Sequence, residues 1–134
     1  MAISNISHVN LRAHRALLEV LRDFYVEVVG LEVGKRPPFE SSGYWLYGGG
    51  QPIVHLVEAR PGEDPSIANG TVLDHVAFAV TSLDGLESRL RQRGIEFEKR
   101  EVPLTNQRQV FFSDPAGNGI ELILDVRRLA ERAG

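Results

Sequence analysis

The chain has 134 residues, 43% of them hydrophobic and 25% charged, the length and balance of one globular domain that buries a core. With 15 Lys plus Arg against 18 Asp plus Glu the formal charge is -3, and no basic run marks a phosphate-backbone footprint, so nucleic acid is not an expected partner. The absence of cysteine excludes disulfides, thiolate metal sites and a cysteine nucleophile. No apolar stretch approaches a membrane span, and residues 1–5 lack the basic and apolar regions of a signal peptide, so a cytoplasmic location without membrane contact is expected.

In chain order, residues 3–12 read as a strand, and a helix follows over about 15–29. Leu17, Leu18, Leu21, Phe24, Tyr25 and Val28 fall at helical spacing there, and Gly30 is the stop. Strand candidates come at 32–36, 44–47 and 53–58, with Gly48, Gly49, Gly50, Gln51 and Pro52 as turn chemistry before the last. Residues 59–70 are polar and rich in Pro and Gly, an exposed linker. A strand over 72–81 then leads through Thr81, Ser82 and Asp84, an N-cap signal, into a helix over about 83–93 stopped by Gly94. Strands at 96–100, 109–113 and 120–124 follow, with Asp114, Pro115, Gly117 and Gly119 between the last two. Residues 126–133 read as a polar tail helix.

The order strand, helix, three strands therefore occurs twice, and the two halves overlay in sequence. Gly30-Leu31-Glu32-Val33-Gly34-Lys35-Arg36 matches Gly94-Ile95-Glu96-Phe97-Glu98-Lys99-Arg100, and Ser7-His8-Val9-Asn10-Leu11 matches Asp74-His75-Val76-Ala77-Phe78. Val54-His55-Leu56 matches Ile120-Glu121-Leu122. Two copies with small insertions point to a duplication rather than a solenoid, which needs at least three units. The predicted organisation is one α+β domain over 1–134: a βαβββ module at about 3–58, the linker at 59–70, a second module at about 71–125 and a tail at 126–134. The linker is long enough for the modules to pair within one chain or across a swapped homodimer.

Alternation along a strand decides which residues share a face. Val9 and Leu11, then Val76, Phe78 and Val80, form apolar sets that pack under the helices, and Val54 and Leu56, then Ile120, Leu122 and Leu124, do the same in the last strands. His8, His55, His75 and Glu121 take the opposite parity, at four equivalent positions of the repeat. A lone strand histidine is more often a hydrogen-bonded structural residue than a ligand. The joint placement of three of the four histidines reverses that expectation, and His14 alone falls outside it. Three imidazoles and a carboxylate suit Zn²⁺, Fe²⁺, Mn²⁺, Co²⁺ or Ni²⁺ rather than Mg²⁺ or Ca²⁺. Ala77, Ala79 and Gly119 leave room on that face.

These residues resemble the vicinal oxygen chelate superfamily, which includes glyoxalases, bleomycin resistance proteins, fosfomycin resistance enzymes, methylmalonyl-CoA epimerases and extradiol dioxygenases. The similarity runs over nearly the whole chain and is most specific at Asp74-His75-Val76-Ala77-Phe78 and at Phe112-Ser113-Asp114-Pro115-Ala116-Gly117-Asn118-Gly119-Ile120-Glu121-Leu122. It implies paired βαβββ modules forming a curved, cupped mixed sheet with helices on the outer face, and a divalent metal held by His8, His55, His75 and Glu121. In glyoxalase-like isomerases the position of His55 is typically a carboxylate that shuttles a proton, so histidine there points away from simple lactoylglutathione lyase chemistry. The two-His, one-carboxylate set of fosfomycin enzymes and extradiol dioxygenases is supplied by His8 or His55 with His75 and Glu121.

The expected function is a metal-dependent lyase or isomerase of the glyoxalase type, in which the cation binds adjacent oxygens of a small metabolite and stabilises an enolate or oxyanion. Glu121 is the ligand and candidate base. An Fe(II) extradiol-type dioxygenase and a non-enzymatic binding protein of the bleomycin resistance type are the alternatives. For the substrate rim the candidates are Arg12, which shares parity with His8, together with Asn106 and Arg108 ahead of the strand facing the site. Trp45, with Tyr47 on the same face, is a candidate pocket wall, although strand aromatics more often belong to a core or a dimer interface.

Overall fold

In the computed structural model of the chain, residues 1–65 and 73–125 are described. The predicted tail helix, the end of the linker at 66–70 and residues 71–72 lie outside them. The chain divides into two compact units, 1–70 and 71–134.

In the first unit, β1 (Val9–Ala13) leads into α1 (Arg15–Phe24), whose last turn widens into a π-helical turn over Tyr25–Val29. Gly30 ends it at φ +93°, a left-handed conformation that costs glycine little. Then come β2 (Glu32–Gly34), β3 (Gly43–Gly48) and β4 (Gln51–Glu58). The sheet order is β1-β4-β3-β2, with β1 parallel to β4 and the other pairs antiparallel. A bulge at Leu46 and Tyr47 sets Leu46 opposite Val54 but Tyr47 opposite Pro52.

Leu18, Leu21, Phe24, Tyr25 and Val28 are buried with Ala13, Leu46, Val54 and Leu56. This is the apolar face predicted for helix and strands, and each fully buried Leu contributes about 2 kcal/mol. Leu17 departs from the expectation and is 37% exposed. In the 3.6-residue cycle it sits one position off the stripe defined by Leu18 and Leu21. Residues 3–8 also depart from it: they form no strand, and pairing begins only at Val9, opposite Val54. Ile3 and Ile6 are exposed, so apolar character there follows no buried sheet face.

The second unit repeats the plan: β5 (His75–Val80), α2 (Leu86–Gln92), β6 (Glu98–Glu101), β7 (Gln107–Ser113) and β8 (Gly119–Asp125), in the order β5-β8-β7-β6 with β5 parallel to β8. Leu86, Leu90, Val110, Phe112, Ile120 and Leu122 are buried. The helix starts later than the predicted cap. Ser82 Oγ accepts from the Asp84 N–H at 3.0 Å, and Gly85 is the N-cap residue at φ +76°. Among the described residues no helix is long and apolar enough to cross a membrane.

Candidate metal centre

In the first unit, β1 pairs Asn10 with His55 and β3 pairs Trp45 with His55, so these residues share the face opposite α1. His8 stands one residue ahead of β1, and its ring stacks on that of His55 with centroids 3.8 Å apart and planes 14° apart. Trp45 stacks on the other side at 4.2 Å and 9°. His55, held between two rings, is 8% exposed. Its Nε2 lies 3.0 Å from the Pro52 carbonyl oxygen. A carbonyl only accepts, so Nε2 carries the proton and the ring's lone pair is on Nδ1. Burial first, then the neighbouring His8 and Arg36, hold the His55 imidazole below its usual value, against the opposing Pro52 bond.

The second unit shows a different geometry. His75 pairs with Gly119, and Ala77 and Phe111 both pair with Glu121, so His75, Phe111 and Glu121 lie on one face. His75 Nδ1 donates to Asp74 Oδ2 at 2.7 Å, which leaves the Nε2 lone pair outward in the carboxylate–histidine arrangement that orients metal ligands. The His75 ring meets the Phe111 ring edge-on at 5.8 Å. Glu121 is 6% exposed, and its Oε1 accepts from Gln109 Nε2 at 2.8 Å.

The Glu121 strand is positioned by the tight turn before it. Asp114 is buried; its Oδ1 accepts from the backbone N–H groups of Ala116 and Asn118 and its Oδ2 from Asn118 Nδ2, all at 2.9 Å. A Cβ at Gly119 would strike the Asp74 carbonyl oxygen and come within 3.0 Å of His75 Cβ, so glycine is required where β8 passes β5.

The donors of the second unit suit a divalent cation: His75 has a tautomer fixed for Nε2 ligation, and Glu121 has a second oxygen free of its Gln109 bond. Those of the first unit fit only in part. Stacked imidazoles direct their in-plane lone pairs along parallel sheets, whereas two rings on one ion must converge on it at about 2.0 Å each. His8 and His55 as stacked therefore do not ligate one ion together. Within the described residues of either unit, no three His, Asp or Glu side chains form a cluster.

The remaining predicted residues are distributed as follows. Trp45 lines a cavity of about 560 Å³ with His8, His55, Arg36 and Phe39. Arg12 has the parity of Asn10 but its Nη1 is bonded to Glu63 Oε1 at 2.9 Å. Asn106 is exposed ahead of β7. Arg108 pairs with Leu124, on the opposite face of its sheet from Glu121, and its Nε lies 3.9 Å from Glu101. It does not share a rim with the Glu121 face. Asp74, Gln109, Arg36 and Phe39 were not singled out from the sequence. Asp74 was signalled by adjacency to His75, whereas Gln109 required the register of the β7–β8 hairpin.

A family model for the glyoxalase/bleomycin resistance protein/dioxygenase superfamily matches residues 6–122. The chain belongs to this superfamily. The uncharacterized protein YwkD of Bacillus subtilis is 34% identical, over 78% of this chain and 85% of that protein. A glyoxylase/bleomycin resistance protein/dioxygenase domain from Frankia sp. EAN1pec superposes with a TM-score of 0.69 at 26% identity, over 92% of this chain and 99% of the other. TnmS3, an antibiotic binding protein from Streptomyces sp. CB03234, superposes with a TM-score of 0.62 at 26% identity, over 93% and 98%. The twofold βαβββ plan agrees with superfamily membership.

Proposed function

We propose that this superfamily member is a divalent-metal-dependent enzyme of the glyoxalase type, acting in the cytoplasm on a small oxygenated metabolite. The observation that carries the reading is the pair on the second sheet: His75, with Nε2 free because Nδ1 is committed to Asp74, beside a buried Glu121 steadied by Gln109. In the first unit His8 is the proposed ligand, since its ring is exposed at the outer end of the stack, while His55 is buried between two rings. Homodimers are the proposed assembly. The cation, when bound, supplies the positive charge that stabilises negative charge developing on substrate oxygens. The Asp74 carboxylate keeps the His75 proton on Nδ1. Gln109 holds Oε1 of Glu121, and the Glu121 carboxylate is the proposed group to take the proton from a C–H beside a substrate carbonyl.

The test is metal analysis of untagged protein, followed by a screen of α-keto, thiol-adduct and catechol substrates with each cation. Stoichiometric metal and a turnover abolished in a folded Glu121→Gln variant are expected; a fully active variant overturns the role of Glu121. Fe²⁺-dependent oxygen uptake with catechols would assign an extradiol dioxygenase instead. A second reading, ligand sequestration without catalysis, is favoured by the aromatic cavity around Trp45 and by the likeness to the antibiotic binding protein TnmS3. Tight ligand binding by protein that takes up no metal and turns over no substrate with any of the cations would establish it.

A further inference from the structure

Arg36 is held differently from five other arginines of the chain. Arg12, Arg15, Arg22, Arg91 and Arg100 each lie within 3.5 Å of a carboxylate oxygen. The Arg36 guanidinium is instead fixed by neutral groups: Nη1 donates to the Ser41 carbonyl at 2.9 Å, Nη2 to Ser41 Oγ at 3.2 Å, and its carbon sits 4.9 Å over the Phe39 ring. Its Nε is buried with no hydrogen-bond partner among the described residues. This cation lines the same cavity as His8, His55 and Trp45, and none of the residues lining that cavity is Asp or Glu. Two acids, Glu19 and Glu40, line the neighbouring cavity that Arg36 also borders.

The aromatic groups continue from this cation without interruption. The Phe39 and Trp45 centroids are 6.1 Å apart, Trp45 stacks on His55, and His55 stacks on His8. Phe39 is 53% exposed, so part of this π surface is open. A guanidinium already oriented by two hydrogen bonds and a ring loses little freedom when it binds an oxyanion, and the planar carboxylate matches its remaining N–H donors. Flat rings alongside favour a flat partner.

We infer that Arg36, Phe39 and Trp45 form a recognition subsite for a planar aromatic carboxylate. The inference deepens the function proposed above by naming the substrate class of that face, and it rests on that reading only for the word substrate; binding itself requires neither metal nor turnover. Trp45 is the only tryptophan in the chain, so its fluorescence reports on this cavity alone.

The experiment titrates metal-free wild-type protein with benzoate, benzamide and cyclohexanecarboxylate at constant ionic strength, with chloride as the control anion. Saturable quenching by benzoate is expected, at least about tenfold weaker with the neutral benzamide and weaker again than benzoate with the non-aromatic acid. Arg36→Gln, checked for folding by circular dichroism, is expected to bring benzoate down to the affinity of benzamide. Equal binding of benzoate and benzamide by the wild type, quenching by chloride alone, or no saturable change overturns the subsite. Each result is read without a metal and so leaves the metal-dependent activity to its own test.

Discussion

Replacing Asp114 by Ala tests whether the turn before β8 holds the Glu121 strand in place. Its carboxylate accepts three hydrogen bonds, two from backbone N–H groups within the turn and one from the Asn118 side chain, and the turn is further closed by Asp114 N–H to the Asn118 carbonyl at 2.9 Å. Hydrogen bonds to a charged acceptor contribute about 1.5–3 kcal/mol each, but the three share one carboxylate and water reaches part of the turn, so they do not add. A loss of about 3 kcal/mol is expected, on the order of 10 °C in Tm for a chain of this size. Urea unfolding followed by circular dichroism measures it. Asp114→Asn keeps the shape and loses the charge, and should cost roughly half as much. An Ala variant within about 0.5 kcal/mol of wild type, the level of an ordinary surface substitution, would refute the view that this carboxylate organises the hairpin.

Three further outcomes are expected. Asp74→Asn should weaken metal affinity about tenfold with unfolding unchanged, because its exposed carboxylate orients His75 without supporting the core; isothermal titration with Zn²⁺ measures this, and unaltered affinity would remove Asp74 from the site. His8→Ala should lose metal and keep stability, whereas His55→Ala should lose stability by about 2 kcal/mol through the emptied stack between His8 and Trp45; the reverse pattern would exchange their roles. Arg12, first through its hydrogen bond to Glu63 and also through its charge, holds that carboxyl below its usual 4.5. A lowered folded value means stability present above 4.5 and lost as pH falls through the folded value, so at low salt Arg12→Ala should be slightly less stable than wild type at neutral pH and converge with it at low pH, which flattens the acid limb of the stability–pH profile.

The repeat was legible because glycines and periodic apolar residues are local signals. Gly30 and Gly94 end the two helices at φ +93° and +65°, and the buried residues of α1 and β4 follow the periodicity of the sequence. The parity of His55, His75 and Glu121 was legible for the same reason. What remained hidden depends on tertiary register. Nothing in the local sequence says that His8 and His55 stack rather than converge, that Gln109 reaches Glu121 two positions diagonally across the hairpin, or that Arg108 takes the opposite face. Ile3 and Ile6 misled because strand propensity without a paired neighbour does not make a strand.

The pairing of first strand with last has a kinetic consequence. Val9 meets Val54, and His75 meets Gly119, so neither module is completed by contacts between chain neighbours. During synthesis the opening ribbon of each half must wait for its final ribbon to leave the ribosome before it finds its mate. Such long loops slow the closing encounter. The amino-terminal half can reach that encounter while the other is still being made, which orders assembly in time as well as in space.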